Sequence, residues 1–206
     1  MTKRLIVGLS GASGIIYGLR MLEALRDLGH ETHLVMSRSA EATLAVETTR
    51  KVGEVHALAH AVYPVADVGA ALSSGSFATD GMVIAPCSIR SLSEIATGVT
   101  STLLTRAADV TLKERRRLVL LVREAPLHTG HLRTMTQASE MGAVIFPPVP
   151  AFYGWPASVD DIVNHTVGRV LDLFGIENSL APRWGAVPEA GGKAARAFPG
   201  RTEQRR

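Results

Sequence analysis

The chain has one cysteine, Cys87, in 206 residues, and aromatic side chains make up only 5% of it. No apolar run approaches the roughly 18 residues that a membrane span needs. The lone cysteine excludes an internal disulfide, and the N-terminal MTKRLIVGLSGASG breaks into glycine too early for a signal-peptide core. Net charge is scarce as well. The formal charge of +3 is carried entirely by the segment from Gly185 to Arg206, where Lys193, Arg196, Arg201, Arg205 and Arg206 face only Glu189 and Glu203. The body of the chain is therefore neutral, without the basic stripe on a folded face that nucleic-acid recognition uses. These features predict a cytoplasmic protein with no membrane or nucleic-acid partner. One domain is expected over residues 1–185, followed by a disordered basic tail at 186–206.

What the sequence does have is alternation. Short apolar runs at Leu5–Leu9, Thr32–Met36, Met82–Ala85, Leu118–Val122 and Ala143–Phe146 are nearly continuous, as in parallel strands covered on both faces. Amphipathic stretches lie between them. Tyr17 to Leu28 sets Leu19, Leu22, Leu25 and Leu28 about one turn apart, Leu103 to Arg117 ends in basic residues, and Ser158 with two aspartates opens a last helix. The predicted architecture is a three-layer α/β fold, flavodoxin-like or Rossmann-like, with a doubly wound and mostly parallel sheet. The region from Lys51 to Asp80 carries no clear pattern.

Sheets of this kind bind ligands beyond the carboxyl ends of their strands. The first run leads into Gly8-Leu-Ser-Gly-Ala-Ser-Gly14, where glycines permit a tight turn, backbone amides can face an anion, and Ser10 and Ser13 add hydroxyls. A ligand-free strand–helix turn is the alternative. The spacing G-x-x-G-x-x-G departs from the dinucleotide fingerprint G-x-G-x-x-G, and the second run ends in Ser37-Arg38 in place of the acidic residue that holds a nicotinamide ribose.

Pro86-Cys87-Ser88 follows the third run, with Ser88 and Ser91 in the first turn of a helix. Free amides there suit a phosphate or a polar ring edge, and ordinary N-capping is the competing role. Cys87 reads as a packed residue, because no His/Asp partner is legible beside it. The fourth run ends in Arg123-Glu124, which point to opposite sides so that one can bind an anion while the other meets substrate, or which form a surface ion pair. The fifth ends in PPVPAFYGWP, a stiff loop presenting Tyr153. His56 and His60, and His128 and His131, have metal-like spacing but no third ligand in register. Solvated helix faces are expected for both pairs, and no metal.

Taken together and in order, GASG (11–14), APCSIRSLSEIATG (85–98), RAADVTLKERR (106–116), LVREAPLHTGHL (121–132), PPVPAFYGWP (147–156) and RWG (183–185) resemble the UbiX-type flavin prenyltransferases. The likeness includes the relatives called phenylacrylic or hydroxyarylic acid decarboxylase small subunits, and it runs over roughly residues 3 to 185. The resemblance implies a metal-independent enzyme. It would transfer a dimethylallyl group from dimethylallyl monophosphate to N5 and C6 of reduced FMN, giving prenylated FMN for a UbiD-type decarboxylase, and it would work as a homo-oligomer, often a dodecamer.

Carried over by position, Gly11, Ala12, Ser13, Ser37, Ser88, Ile89, Arg90, Ser91 and Arg123 would hold FMN. Arg106, Lys113, Tyr153 and Arg169 would hold the donor phosphate, some of them from a neighbouring subunit, with the aromatic Trp184 near the site. Glu124 would transfer a proton, with Glu47 and Ser13 as further catalytic groups. A phosphate leaving group does need fixed cations and an acid. The departures, Val122 before the Arg-Glu pair and Ile89-Arg90 after PCS, concern contacts at the flavin edge.

Two alternatives stand beside this reading. One is a flavin-dependent cysteine-type decarboxylase, whose PxMN motif is missing here: the only asparagines are Asn164 and Asn178. The other is a non-catalytic flavin-binding partner subunit, which would not need the phosphate residues.

Overall fold

The computed structural model describes residues 1–181, so Trp184 and the expected tail at 186–206 lie outside the described residues. In chain order the elements are β1 (Arg4–Leu9), α1 (Ile15–Asp27), β2 (Glu31–Met36), α2 (Arg38–Glu47), α3 (Val52–His56), β3 (Ala61–Tyr63), a 3-10 turn (Ala71–Ser73), β4 (Gly81–Cys87), α4 (Ile89–Thr97), α5 (Leu103–Lys113), β5 (Arg117–Val122), α6 (Thr129–Glu140), β6 (Ala143–Ile145) and α7 (Val159–Leu173). The strands form one sheet in the order β3-β2-β1-β4-β5-β6, and every pairing is parallel.

Alternation along each strand divides the core in two. Leu5, Val7 and Leu9 of β1, Val83 and Ala85 of β4, and Val119 and Leu121 of β5 meet α1 and α7 on one face. Ile6, Met82, Ile84, Leu118 and Leu120 meet α4 and α5 on the other. Truncating a fully buried side chain of this core, such as Leu22, to alanine costs about 2–5 kcal/mol.

The helix starts are the polar residues expected of caps. Ser37, Ser88, Thr102 and Ser158 each accept from the amide three residues on, and Asp161 closes a capping box with Ser158. The stretch expected to be helical through Arg117 stops at Lys113. There the amides of Arg115 and Arg116 fold back to the carbonyls of Leu112 and Thr111, with Arg115 left-handed at φ 57°. The first helix starts at Ile15 and ends at Asp27, close to the expected Tyr17–Leu28.

β3 is a correction to the five-strand expectation. It is three half-exposed residues on the sheet edge, too short to show a pattern. From its end the chain runs down α5 with little regular structure. Its carbonyls are held by arginines: Ser73 by Arg106 at 3.2 Å, Gly75 and Phe77 by Arg116 at 2.7 and 2.8 Å, and Ala78 by Arg4 at 3.1 Å.

Candidate active site

β1 sits between β2 and β4, so the chain reverses its direction of winding at the β1/β4 boundary and a crevice opens over their carboxyl ends. Ser10, 1% exposed, closes the floor of that crevice. Its Oγ donates to the Pro86 carbonyl at 2.8 Å and accepts from the Ser88 amide at 2.7 Å. The neighbouring strands are tied in as well. The Ser37 amide donates to Leu9 O at 3.0 Å and the Arg123 amide to Cys87 O at 3.1 Å, so loop 11–14, Ser37, Ser88 and Arg123 ring a single edge of the sheet.

The glycine loop is pressed against α2. A Cβ on Gly11 would stand 2.2 Å from the Cβ of Ser39, and Gly14 needs φ +95° to turn into α1. One sequence expectation is corrected at this point. The amides at the start of α1 do not wait for a ligand anion, because the Glu47 carboxylate, from the end of α2, accepts from Gly14 at 2.9 Å and Ile15 at 3.0 Å. Burial alone would raise the Glu47 carboxyl. The Ser13 hydroxyl, the Ile15 and Gly14 amides and the nearby Arg123 guanidinium outweigh it and hold the group below the usual carboxylate range.

Of the two roles considered for the serines after β4, the structure shows the capping one. Ser88 caps α4 by accepting from the Ser91 amide at 3.2 Å, and its own hydroxyl donates to Ser91 Oγ at 3.2 Å, with Ser91 buried. Ile89 is half-buried, and Arg90 points to solvent, paired with Glu94 at 2.9 Å. Cys87 is fully buried, which pushes its thiol up to about 12 and leaves no nucleophile there. Glu124 is exposed beside Arg123, one carboxylate oxygen accepting from the Ala125 amide at 3.0 Å.

The phosphate candidates fall into separate groups along the chain. Arg106 pairs with Asp109 at 2.7 Å on the flank of α5. Lys113 ends that helix next to the start of β5, at the opposite pole of the sheet from Arg123, where it pairs with Glu114. Tyr153 and Arg169 form a third patch, with His165 of α7 between them. The Tyr153 hydroxyl meets His165 Nε2 at 2.8 Å, and Arg169 lies four residues further along the helix. His165 is a residue that the sequence reading missed, although its i,i+4 spacing to Arg169 was visible.

The histidine pairs also depart from expectation. His60 lies beyond α3, its ring 6.2 Å from that of His33. His128 caps α6 through Nδ1 and stacks on His131 at 3.6 Å. Among the described residues, no three His, Cys, Asp or Glu side chains group to hold a metal ion. Among them, too, no helix is long and apolar enough to cross a membrane.

Comparison with known proteins gives these patches a context. The flavoprotein family profile matches residues 1–171. The flavin prenyltransferase UbiX of Escherichia coli strain K12 is 62% identical over 185 residues, covering 88% of this chain and 98% of that one. The crystal structure of AnUbiX (PadA1) in complex with FMN and dimethylallyl pyrophosphate matches with a TM-score of 0.89 and 48% identity, over 91% of this chain and all of that one. A dodecameric FMN-dependent UbiX-like decarboxylase from Escherichia coli O157:H7 matches with a TM-score of 0.87 and 50% identity, over 89% of this chain and all of that one. With its doubly wound sheet, serine-lined crevice and near-complete coverage of these relatives, the chain belongs to the flavoprotein family and, within it, to the UbiX-type flavin prenyltransferases.

Proposed function

We propose that the chain transfers a dimethylallyl group from dimethylallyl monophosphate to reduced FMN, and that a UbiD-type decarboxylase takes up the prenylated product. The observation that carries this reading is the 62% identity to a flavin prenyltransferase along 98% of that enzyme's length. The crevice suits the cofactor: a loop too tight for a Cβ at Gly11, the serines at 13, 37, 88 and 91, and the Arg123 guanidinium give it a polar lining that fits a phosphate and the polar edge of a flat ring. Reduced FMN supplies the nucleophilic ring atoms N5 and C6. The side chains orient it, shield it from water and manage charge.

Arg106, Lys113, Tyr153 and Arg169 bind the departing phosphate in this reading. Fixed cations stabilise the charge that develops on it, and Glu124 holds the proton that the leaving group or the ring must exchange. Lys113 lies at the pole of the sheet opposite Arg123, so in this reading a neighbouring protomer supplies it to each site. The dodecameric relative supports such an assembly. The isolation of Cys87 and the absence of long apolar runs support a cytoplasmic setting. A cysteine-type decarboxylase is disfavoured by the placement of both asparagines, since Asn164 accepts from Arg20 on α1 and Asn178 lies in the turn after α7.

Anaerobic incubation with reduced FMN and dimethylallyl monophosphate should yield a flavin heavier by one prenyl unit in the mass spectrum. Unmodified FMN alone, beside an active control enzyme, would overturn the reading and favour a non-catalytic flavin-binding subunit. A parallel reaction with the diphosphate decides which donor is used.

A further inference from the structure

We infer that His165 is a positioning residue that aims the Tyr153 hydroxyl at the donor phosphate. The inference rests on the reading above of Tyr153 and Arg169 as phosphate ligands. Tyr153 belongs to the loop over 147–156, which has no strand or helix of its own and joins β6 to α7, and 42% of the residue is exposed. A phenol on such a loop has both backbone and rotamer freedom to lose before it can serve as a fixed ligand. His165 restricts that freedom. It is anchored in the middle of α7, its Nε2 lies 2.8 Å from the Tyr153 hydroxyl, and the two rings meet edge to face with centroids 5.5 Å apart at 80°. Arg169 follows one turn later on the same face of the helix, so one rigid element sets the spacing between the phenol and a guanidinium.

The tautomer decides what the phenol can do. A neutral imidazole carries one N–H. If the phenol donates to Nε2, its proton is spent inside the protein and its oxygen turns lone pairs towards an anion. If Nε2–H donates to the phenol oxygen, the phenol proton is not spent on His165, and the chain imidazole, phenol, phosphate runs donor to acceptor throughout. An anionic ligand selects the second arrangement, because only that one presents a donor to it. Burial, then the Arg169 cation, lowers the imidazole below its ordinary value and keeps it in the neutral form that can switch between the two. A groove of about 290 Å³, bordered by Trp155, Asp161, Asn164 and Leu180, runs beside the His165 ring.

The test is steady-state prenyl transfer to reduced FMN with dimethylallyl monophosphate as the varied substrate, comparing wild type with Tyr153→Phe, His165→Ala, His165→Gln, His165→Asn and the Tyr153→Phe/His165→Ala double variant. His165→Ala should raise KM for the donor about tenfold, the scale of one positioned hydrogen bond, with kcat within about twofold of wild type and FMN affinity unchanged. Gln, whose amide N–H reaches the Nε2 position, should restore most of the loss; the shorter Asn should not. The double variant should be no worse than Tyr153→Phe alone, since the two side chains act as one unit. An unchanged KM in His165→Ala, or additive losses in the double variant, overturns the inference. Should the alanine variant fail to fold, equal KM values for Gln and Asn overturn it instead. Tyr153→Phe separates the two layers: a KM unchanged there removes Tyr153 from the phosphate site, whereas a raised KM there with normal His165 variants removes His165 only.

Discussion

The Ser88 amide donates to the Ser10 hydroxyl at 2.7 Å across 78 residues of chain, joining the ends of β4 and β1 beneath the crevice. Because Ser10 N–H also reaches Pro86 O, at 3.3 Å, a Ser10→Ala change leaves mainly the Ser88 amide without a partner. We expect a loss of about 1–3 kcal/mol in denaturant unfolding, the cost of an orphaned buried donor, and weaker FMN binding. Unchanged stability would mean that water replaces the hydroxyl.

Glu47 ties α2 to the start of α1. Its folded-state pKa lies below the ordinary value of 4.5, so its contribution is fully present above that value and fades as pH falls through it towards the folded value. Amide exchange at Gly14 and Ile15 should be faster in Glu47→Gln than in wild type at neutral pH. The stability difference between the two proteins should shrink once the pH is below about 4. A difference that persists undiminished in acid would remove the carboxylate from this role.

Glu124→Gln keeps the shape of the side chain and removes its proton chemistry. FMN binding, followed by fluorescence quenching, should be retained, while turnover should fall by about 10²–10⁴-fold. Normal turnover would shift the proton role elsewhere, with Glu47 the next candidate.

Arg115 holds the left-handed position that closes α5, a place where Gly29 and Gly175 serve α1 and α7. Its side chain is exposed, so Arg115→Gly should stabilise the fold by about 1 kcal/mol by removing the Cβ strain. Thermal unfolding measures this, and a lower midpoint would contradict it.

Cys87 should resist thiol reagents in the native protein and react only after denaturant is added, because burial holds its thiol protonated. Rapid labelling without denaturant would contradict its burial.

Much of the fold was legible because a parallel strand covered on both faces is apolar at nearly every position. β1, β4 and β5 read that way, as does β2 apart from its buried Thr32 and His33, and the candidate crevice residues could be located as whatever followed them. β3 was not legible, since three edge residues with a half-exposed pattern carry no periodicity. Nor was the partner of Glu47, whose amides lie 32 and 33 residues earlier and are reached only because α2 returns to the start of α1. The residues proposed for the phosphate could be named from the resemblance, but how α5, the 147–156 loop and α7 set them in space is a property of the packed layers that no local pattern encodes.

The passage from β3 to β4, stapled by Arg106, Arg116 and Arg4, has a bearing on how its sequence can drift. Guanidiniums grip main-chain oxygens, and every amino acid brings one of those. The exposed side chains of Ser74, Ser76 and Ala78 can therefore change with little effect on the course of the chain, whereas Phe77 packs against His33 and Arg4, and Arg116 cannot be exchanged for lysine, which has no planar fork to span two carbonyls. Variation among related chains should gather on the gripped strip and spare the hands that hold it.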